Sequence, residues 1–326
     1  MSERRGVVRT PEERFAVLPG YPFEPNYVEL ADAVHGPLRM HYVDEGPRDA
    51  DPVLLLHGQP TWSYLYRKVI AALVSRGHRA VAPDYIGYGR SDKIVDKLAY
   101  SFPGHIEWLR SFVEALDLRR ITLVVQDWGG PLGLAVLAAE PDRFARVVAA
   151  NTILHTADPA LAGRLEWALH ALPDAPRVVV EEALLDYILA SQRYPLVPSE
   201  LVQYATLTNV PADVLAAYDA PFPDETYKGG LRQTTVLIPI TRNDVGAEID
   251  RNTFATLRSW ERPFLTAYSD GDPPTRGWDA LFREVVPGAD GQPHTTIAGA
   301  GHFLQEDRGE ELGAVVADFI SANPVG

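Results

Sequence analysis

The sequence predicts an α/β fold in which helices flank a mostly parallel central sheet. Short runs that are wholly apolar alternate with stretches whose apolar residues recur at helical spacing. Strands that are apolar throughout are buried on both faces, which is typical of a parallel sheet with helices on each side. One long helical stretch interrupts the alternation, and it predicts a helical cap inserted into the fold.

Several apolar runs are predicted to be the strands of the sheet, and each ends at turn-forming or polar residues. These runs are Val53–Leu56, Arg79–Pro83, Ile121–Gln126, Phe144–Asn151, Pro263–Ser269 and His294–Ile297. Helical periodicity predicts two of the covering helices, one through Ile106 to Leu116 and one through Leu312 to Ile320.

The predicted cap is the segment 152–227, which is mostly helical in pattern and punctuated by prolines. Its apolar residues need a surface to pack on, so an inserted subdomain is favoured over a linker. The domain prediction is therefore a core formed by residues 1–151 and 228–326, with 152–227 as the cap.

Composition excludes several functional classes. The chain has 326 residues and a net charge of −14, which argues against binding to nucleic acid or to anionic membranes. It contains no cysteine, which excludes disulfides, thiolate nucleophiles and cysteine-ligated metals. The first residues are charged, and no apolar run reaches the roughly 18–20 residues of a membrane span. We therefore expect a cytoplasmic protein.

The most informative stretch is Leu123–Gly133, in which an apolar strand leads through Asp127 and Trp128 to a pair of glycines and a helix. This pattern predicts the nucleophile elbow of α/β hydrolases, with Asp127 at the position of the nucleophile. A carboxylate suits attack on a saturated carbon, because the resulting ester can be hydrolysed whereas the ether formed by a serine could not. The alternative is that Asp127 only caps the helix, and its flanking residues make this less favoured.

Other candidate residues lie in loops that follow predicted strands. His302 lies in a glycine-rich loop before the last helix, where this fold carries its general base. Asp272 is the preferred acid to orient His302, and Asp270 in the same loop is the alternative. The backbone N–H of Gln59 is expected to supply an oxyanion-hole donor, and His57 to brace that loop.

These motifs resemble those of the haloalkane dehalogenase family over nearly the whole chain. The Asp-Trp-Gly of the elbow is shared with epoxide hydrolases, whereas His-Gly-Gln-Pro-Thr-Trp-Ser from His57 is more specific. The order of motifs is similar to that of the subfamily whose acid follows the penultimate strand. The matching segments are Arg9–Phe15, His57–Arg67, Val125–Gly130, Tyr218–Asp224, Ser269–Pro273 and Gly299–Glu306.

The resemblance implies hydrolysis of a small halogenated aliphatic substrate by water, through a covalent ester and without a cofactor or metal. It also implies that the indoles of Trp128 and Trp167 bind the departing halide. A backbone donor from Trp128 is expected to complete the oxyanion hole, and the resemblance implies that Phe222 and Pro223 line the substrate pocket. The cap around Arg177 departs from the family pattern, so the preferred halogen and chain length stay open, as does the oligomeric state.

Rival functions remain open at this stage. An epoxide hydrolase would use the same nucleophile and histidine, with cap tyrosines to protonate the ring oxygen. A non-catalytic small-molecule receptor on this fold would be expected to have lost one of the three catalytic positions, all of which are filled here. A coelenterazine-type luciferase is a more distant alternative. The tyrosines available to an epoxide hydrolase are Tyr187, Tyr194, Tyr204 and Tyr218.

Overall fold

The structure is a computed structural model that describes residues 6–156, 188–193, 195–239 and 241–325. Within these residues the strands are β1 (Val7–Val8), β2 (Asn26–Leu30), β3 (Leu38–Glu45), β4 (Pro52–Leu56), β5 (Arg79–Pro83), β6 (Lys93–Ile94), β7 (Ile121–Val125), β8 (Phe144–Ala149), β9 (Phe264–Ser269) and β10 (Thr295–Ile297).

The central sheet has eight strands in the order β10-β9-β8-β7-β4-β5-β3-β2. The six strands from β10 to β5 pair in parallel, and β3 and β2 add an antiparallel edge. The short strands β1 and β6 form a separate antiparallel pair. The predicted fold class, an α/β hydrolase fold with a mostly parallel sheet, is confirmed.

The helices lie between the strands, as the alternation predicted. Within the described residues they are α1 (Arg67–Ser75), α2 (Phe102–Ala115), α3 (Gly129–Ala139), α4 (Pro198–Ala205), α5 (Ala212–Asp219), α6 (Gly229–Val236), α7 (Val245–Leu257), α8 (Trp278–Val285) and α9 (Leu304–Ala322).

The sheet separates two hydrophobic cores. In β4, Leu54 and Leu56 belong to the core under α2 and α3, whereas Val53 and Leu55 belong to the core under α1 and α9. This split follows from the alternation of side chains along a strand, and it explains why the central strands are apolar at every position. Their carboxyl ends, which carry the candidate residues, all reach one edge of the sheet.

The predicted cap segment is described in part. Helices α4 and α5 lie within 152–227, while residues 157–187 and 194 lie outside the described residues. The cap boundaries therefore stay a prediction. No helix in the described ranges is both long and apolar enough to cross a membrane.

A buried ionic contact attaches α5 to the core. Tyr218 on α5 donates a hydrogen bond to Glu306 Oε2 at 2.6 Å, and Arg67 donates to both Glu306 carboxylate oxygens at 2.7 Å. All three side chains are buried. Burial alone would raise the pKa of Glu306, but the hydrogen bonds and charge of Arg67 hold it below its usual value. The carboxylate is therefore ionised, and it joins three elements of the fold.

Removal of this carboxylate is expected to destabilise the protein. Glu306→Ala would leave the Arg67 guanidinium buried without its partner, at a cost of about 3–5 kcal/mol in the free energy of unfolding. Tyr218→Phe removes a single hydrogen bond and should cost about 1–3 kcal/mol. Urea unfolding measures both, with Arg76→Ala as the control. Arg76 pairs with Asp318 on the surface, so its loss should cost less than about 1 kcal/mol. Equal costs for Glu306→Ala and Arg76→Ala would contradict this account.

Candidate active site

Asp127 lies at a sharp turn between β7 and α3. Its φ of 50° is in the left-handed region, which residues other than glycine seldom adopt. The turn is held by hydrogen bonds from the Asp127 N–H to the Asn151 carbonyl at 2.9 Å and from Thr152 Oγ1 to the Asp127 carbonyl at 2.6 Å. A Cβ on Gly129 would overlap the Leu56 carbonyl, so the close approach of helix and strand requires a glycine there.

The Asp127 carboxylate faces two backbone donors and one imidazole. Its Oδ1 atom accepts a hydrogen bond from the Gln59 N–H at 2.7 Å, and the Trp128 N–H also donates to the carboxylate. Its Oδ2 atom lies 3.3 Å from His302 Nε2. Burial raises the pKa of Asp127, but His302 and the two backbone donors outweigh it, so the net shift is downward. Asp127 is therefore an ionised carboxylate in a largely buried position.

His302 lies between two carboxylates. Its Nδ1 atom is 3.0 Å from Asp272 Oδ2, on the side of the ring opposite to Asp127. Burial favours the neutral ring, but Asp272 and Asp127 together raise the pKa of His302 to about 10. The loop that carries His302 is held by the end of α4, because the His302 N–H donates to the Ala205 carbonyl at 2.8 Å.

The structure separates the two carboxylates that competed for the orienting role. Asp272 is buried, with 1% of its side chain exposed, and its Oδ2 atom also accepts a hydrogen bond from Thr275 Oγ1 at 2.6 Å. Asp270 instead accepts from the Gly299 N–H at 2.8 Å and has no described contact with His302. The geometry therefore brings Asp272, rather than Asp270, to the histidine.

The loop after β4 carries His57 and Gln59. His57 is buried, with Nδ1 2.9 Å from the Gly58 carbonyl and Nε2 accepting the Tyr85 N–H at 3.2 Å. Burial lowers the pKa of His57, so a neutral ring braces the loop. The Gln59 side chain donates to the Leu231 carbonyl at 3.1 Å. Its backbone N–H is therefore the group that faces Asp127.

Gly58 is placed where a side chain would displace the nucleophile. A Cβ on Gly58 would overlap the Asp127 carboxylate, so Gly58→Ala is expected to move Asp127 away from its backbone donors. Because misplacement by about 1 Å can cost on the order of 10²-fold in rate, we expect at least that loss in steady-state turnover. Gly36→Ala adds a Cβ in open space at a φ of 75°, so as the control it should lose some stability while the turnover of the folded enzyme stays unchanged. Full activity in folded Gly58→Ala would show that Asp127 tolerates the added Cβ, and it would contradict this expectation.

The structure describes only some of the residues predicted to bind the halide or to line the substrate pocket. Trp128 is buried against Phe102 at a ring separation of 5.4 Å, and no described group accepts a hydrogen bond from its indole N–H. Trp167 lies outside the described residues. Phe222 is buried 6.5 Å from the Tyr88 ring, and Pro223 is exposed. No described contact joins either residue to Asp127, so their pocket role stays a prediction.

Sequence reasoning missed two neutral residues that contact the histidine loop. Gln126 Nε2 lies 3.1 Å from His302 Nε2, and Asn151 Nδ2 donates to the His302 carbonyl at 3.0 Å. Asn151 also donates to the Gly301 carbonyl and accepts the Ser269 N–H. Both residues follow the carboxyl ends of neighbouring parallel strands, which was the signal that could have found them.

Among the described residues, no three side chains of His, Asp or Glu form a potential metal site.

The elbow, the buried carboxylate and the His302–Asp272 pair at one edge of a parallel sheet define a hydrolase of the α/β class. A family model described as alpha/beta hydrolase fold matches residues 51–227. A haloalkane dehalogenase of Psychrobacter cryohalolentis is 46% identical over 98% of this chain and 99% of its own length. One from Mycobacterium marinum is 44% identical over 94% and 97%, respectively. The chain belongs to the haloalkane dehalogenase family, whose members are hydrolases acting on carbon–halogen bonds.

Solved structures agree with this assignment. A haloalkane dehalogenase from Paraglaciecola agarilytica, described as tetrameric, is 34% identical and superposes with a TM-score of 0.83 over 97% of this chain and 98% of that one. A haloalkane dehalogenase from Agrobacterium tumefaciens, at 22% identity and a TM-score of 0.74 over 96% of this chain and 100% of that one, shows the fold alone. The family predicted from the sequence motifs is thus confirmed.

Proposed function

We propose that this chain hydrolyses small haloalkanes to an alcohol, a halide ion and a proton, with Asp127 as the nucleophile. The observation that carries the proposal is an ionised carboxylate held by two backbone N–H groups, with a carboxylate-bound histidine 3.3 Å away. A nucleophile, a base and donors for an oxyanion are the parts that covalent hydrolysis through an ester needs.

In the first step, Asp127 Oδ2 attacks the halogen-bearing carbon from the side opposite the halogen. A carbon–oxygen bond forms, and the carbon–halogen bond breaks with its electron pair leaving on the halide. A halide needs no proton, so weak donors in an apolar surrounding are sufficient to stabilise it. The indole N–H of Trp128 is such a donor, and we assign the second to Trp167.

In the second step, His302 Nε2 takes a proton from water as the water oxygen attacks the Asp127 carboxyl carbon. The N–H groups of Gln59 and Trp128 stabilise the oxyanion that forms. The intermediate collapses with the alkoxide as leaving group, and the alkoxide takes the proton from His302. The new carboxylic acid of Asp127 loses its proton to solvent, which regenerates the enzyme.

The charges around His302 change between the two steps. While Asp127 is ionised, the ring is held charged by two carboxylates and its pKa is about 10. Alkylation turns Asp127 into a neutral ester, and the favourable interaction of the charged ring with Asp127 is lost. The pKa of His302 then falls, so the neutral base becomes available at the stage that needs it.

An Asp127→Asn variant imitates this loss of charge. We expect the pKa of His302, followed by NMR of its ring, to fall by at least one unit from its value of about 10 in the wild type. The sign follows from Asp127 stabilising the charged ring. Asp270→Asn is the control and should leave the titration unchanged, because Asp270 does not contact the ring. Intact mass must show that the introduced amide has not been hydrolysed back to the carboxylate. A pKa that stays near 10 in Asp127→Asn would contradict the proposed coupling.

The two candidate tyrosines that the structure describes, Tyr204 and Tyr218, argue against the epoxide hydrolase alternative. Tyr218 is committed to Glu306 inside the protein, and the side chain of Tyr204 is 90% exposed. Neither is available to protonate an epoxide oxygen beside Asp127. Tyr187 and Tyr194 lie outside the described residues.

We also propose that residues 152–227 form a cap over the site. This is supported by α4 and α5, whose Ala205 and Ala217 carbonyls accept hydrogen bonds from the His302 N–H and from the Trp62 indole at 2.8 and 3.1 Å. A cap attached at these points would limit access of water to Asp127.

Bromide and acid release from small bromoalkanes, including 1,2-dibromoethane, tests the proposed function, with styrene oxide in parallel. The proposal predicts bromide release and no diol from the epoxide. Diol without bromide would overturn it in favour of an epoxide hydrolase. Saturable binding without any turnover would favour the receptor alternative.

A further inference from the structure

Gln126 is a buried amide that touches the proposed base at two points. It follows β7 directly, and its side chain is fully buried. Its Nε2 atom lies 3.1 Å from His302 Nε2 and donates to the His302 carbonyl at 3.2 Å. Its Oε1 atom is buried and has no partner among the described residues. Within the described part of the chain, the side chain therefore makes its hydrogen-bonding contacts with a single residue, His302.

The His302 carbonyl fixes the orientation of this amide. A carbonyl can only accept, so the amide group 3.2 Å away must be the NH₂ and not the oxygen. The second hydrogen of that NH₂ is directed to His302 Nε2. A ring nitrogen that receives an N–H needs a lone pair, so this contact favours the neutral ring and opposes protonation of Nε2, which would place two donors against each other.

We propose that Gln126 is a positioning residue for the base, whose amide N–H lowers the proton affinity of His302 Nε2 and holds the neutral ring in the Nδ1–H tautomer. Asp272 supports the same tautomer, since it accepts from Nδ1 at 3.0 Å. The inference rests on the proposed function for its catalytic consequence, because the neutral Nε2 is the atom that takes the proton from water.

The surroundings of His302 show why such a group is needed. Among the described residues, the charged groups facing the ring are Asp272 on the Nδ1 side and Asp127 on the Nε2 side, and both stabilise the charged form. The α9 carboxylate nearest in sequence, Glu306, is directed to Arg67, and the cap contributes an uncharged carbonyl, that of Ala205. Among the described polar neighbours, Gln126 is therefore the one that opposes protonation, in addition to the burial of the ring. After alkylation, Asp272 and Gln126 are the described polar groups that remain to set the balance.

Two neutral variants remove this N–H. Gln126→Met keeps the length of the side chain, and Gln126→Leu is a second variant of different shape. The Gln126 N–H stabilises the neutral ring and not the charged one, so its loss should raise the pKa of His302. We expect NMR to show a rise of about one unit in each variant. In single turnovers with 1,2-dibromoethane, the burst of bromide should keep its amplitude. At pH values below the pKa of His302 in the alkylated enzyme, ester hydrolysis should slow by about tenfold. The acid limb of its pH–rate profile should move to higher pH.

Asn151→Gly is the matched control. It removes another donor to the same His302 carbonyl without touching the ring, and the φ of 39° at Asn151 is one that glycine adopts freely. This variant should be less stable but should leave the pKa of His302 unchanged.

An unchanged His302 pKa in folded Gln126→Met and Gln126→Leu would overturn the proposal. An equal rise in Asn151→Gly would also overturn it, because loosening of the loop would then be the cause. Absence of any bromide release by the wild type would instead contradict the proposed function, while the NMR comparison would still test Gln126.

Discussion

Replacing Asp127 with alanine is expected to abolish bromide release from 1,2-dibromoethane. The variant has no atom that can accept the alkyl group, and His302 with Asp272 could at most activate water for a much slower direct attack. We therefore expect a loss of about 10⁴-fold or more in turnover, comparable with the removal of other covalent nucleophiles. Steady-state bromide release measures the effect.

The control for this variant is Asp270, a carboxylate in the same region that contacts neither His302 nor the backbone donors of Asp127. Asp270→Ala removes a surface acid that braces Gly299, so turnover should stay within about twofold of wild type while stability drops slightly. Substantial bromide release by folded Asp127→Ala would contradict the assignment of the nucleophile.

Replacing His302 with phenylalanine is expected to separate the two steps. Alkylation does not need the histidine as a base, so each active site should release one bromide. Ester hydrolysis does need it, and loss of a general base typically costs about 10²–10⁴-fold. Rapid-quench bromide assays should show a stoichiometric burst followed by near arrest, and intact mass should show the bromoethyl adduct.

The double variant Asp127→Ala/His302→Phe is the control, and it should show neither burst nor adduct. Repeated bromide release by His302→Phe without an accumulating adduct would contradict the two-step scheme. A bromide burst with the adduct on another residue would show that a residue other than Asp127 is the nucleophile.

The parts of the fold that position the site could be predicted from the sequence because they are buried on both faces. The runs predicted as β4, β5, β7, β8, β9 and β10 differ from the structure only at their ends. Strands β2 and β3 escaped prediction because they form the antiparallel edge of the sheet. Buried and partly exposed residues are mixed along both strands, so neither strand contains a continuous apolar run.

The candidate site could be predicted where a residue has a chemistry of its own. Asp127 and His302 stand out because a carboxylate at an elbow and a histidine in a glycine-rich loop have few other purposes. Asp270 and Asp272 could not be separated by type, and only the 3.0 Å contact with His302 distinguishes them. Gln126 carries no charge, and its relation to the histidine depends on a long-range contact that sequence spacing does not reveal.

The central claim is that the oxygen of the product alcohol comes from Asp127 and the oxygen of water enters the enzyme. A single turnover of 1,2-dibromoethane in ¹⁸O-water, with enzyme in excess, tests this most directly. The account predicts unlabelled alcohol and an ¹⁸O-labelled Asp127, located by mass spectrometry of the peptide that contains it. Labelled alcohol with an unlabelled Asp127 peptide would mean that water attacks the substrate carbon directly, and would contradict the account.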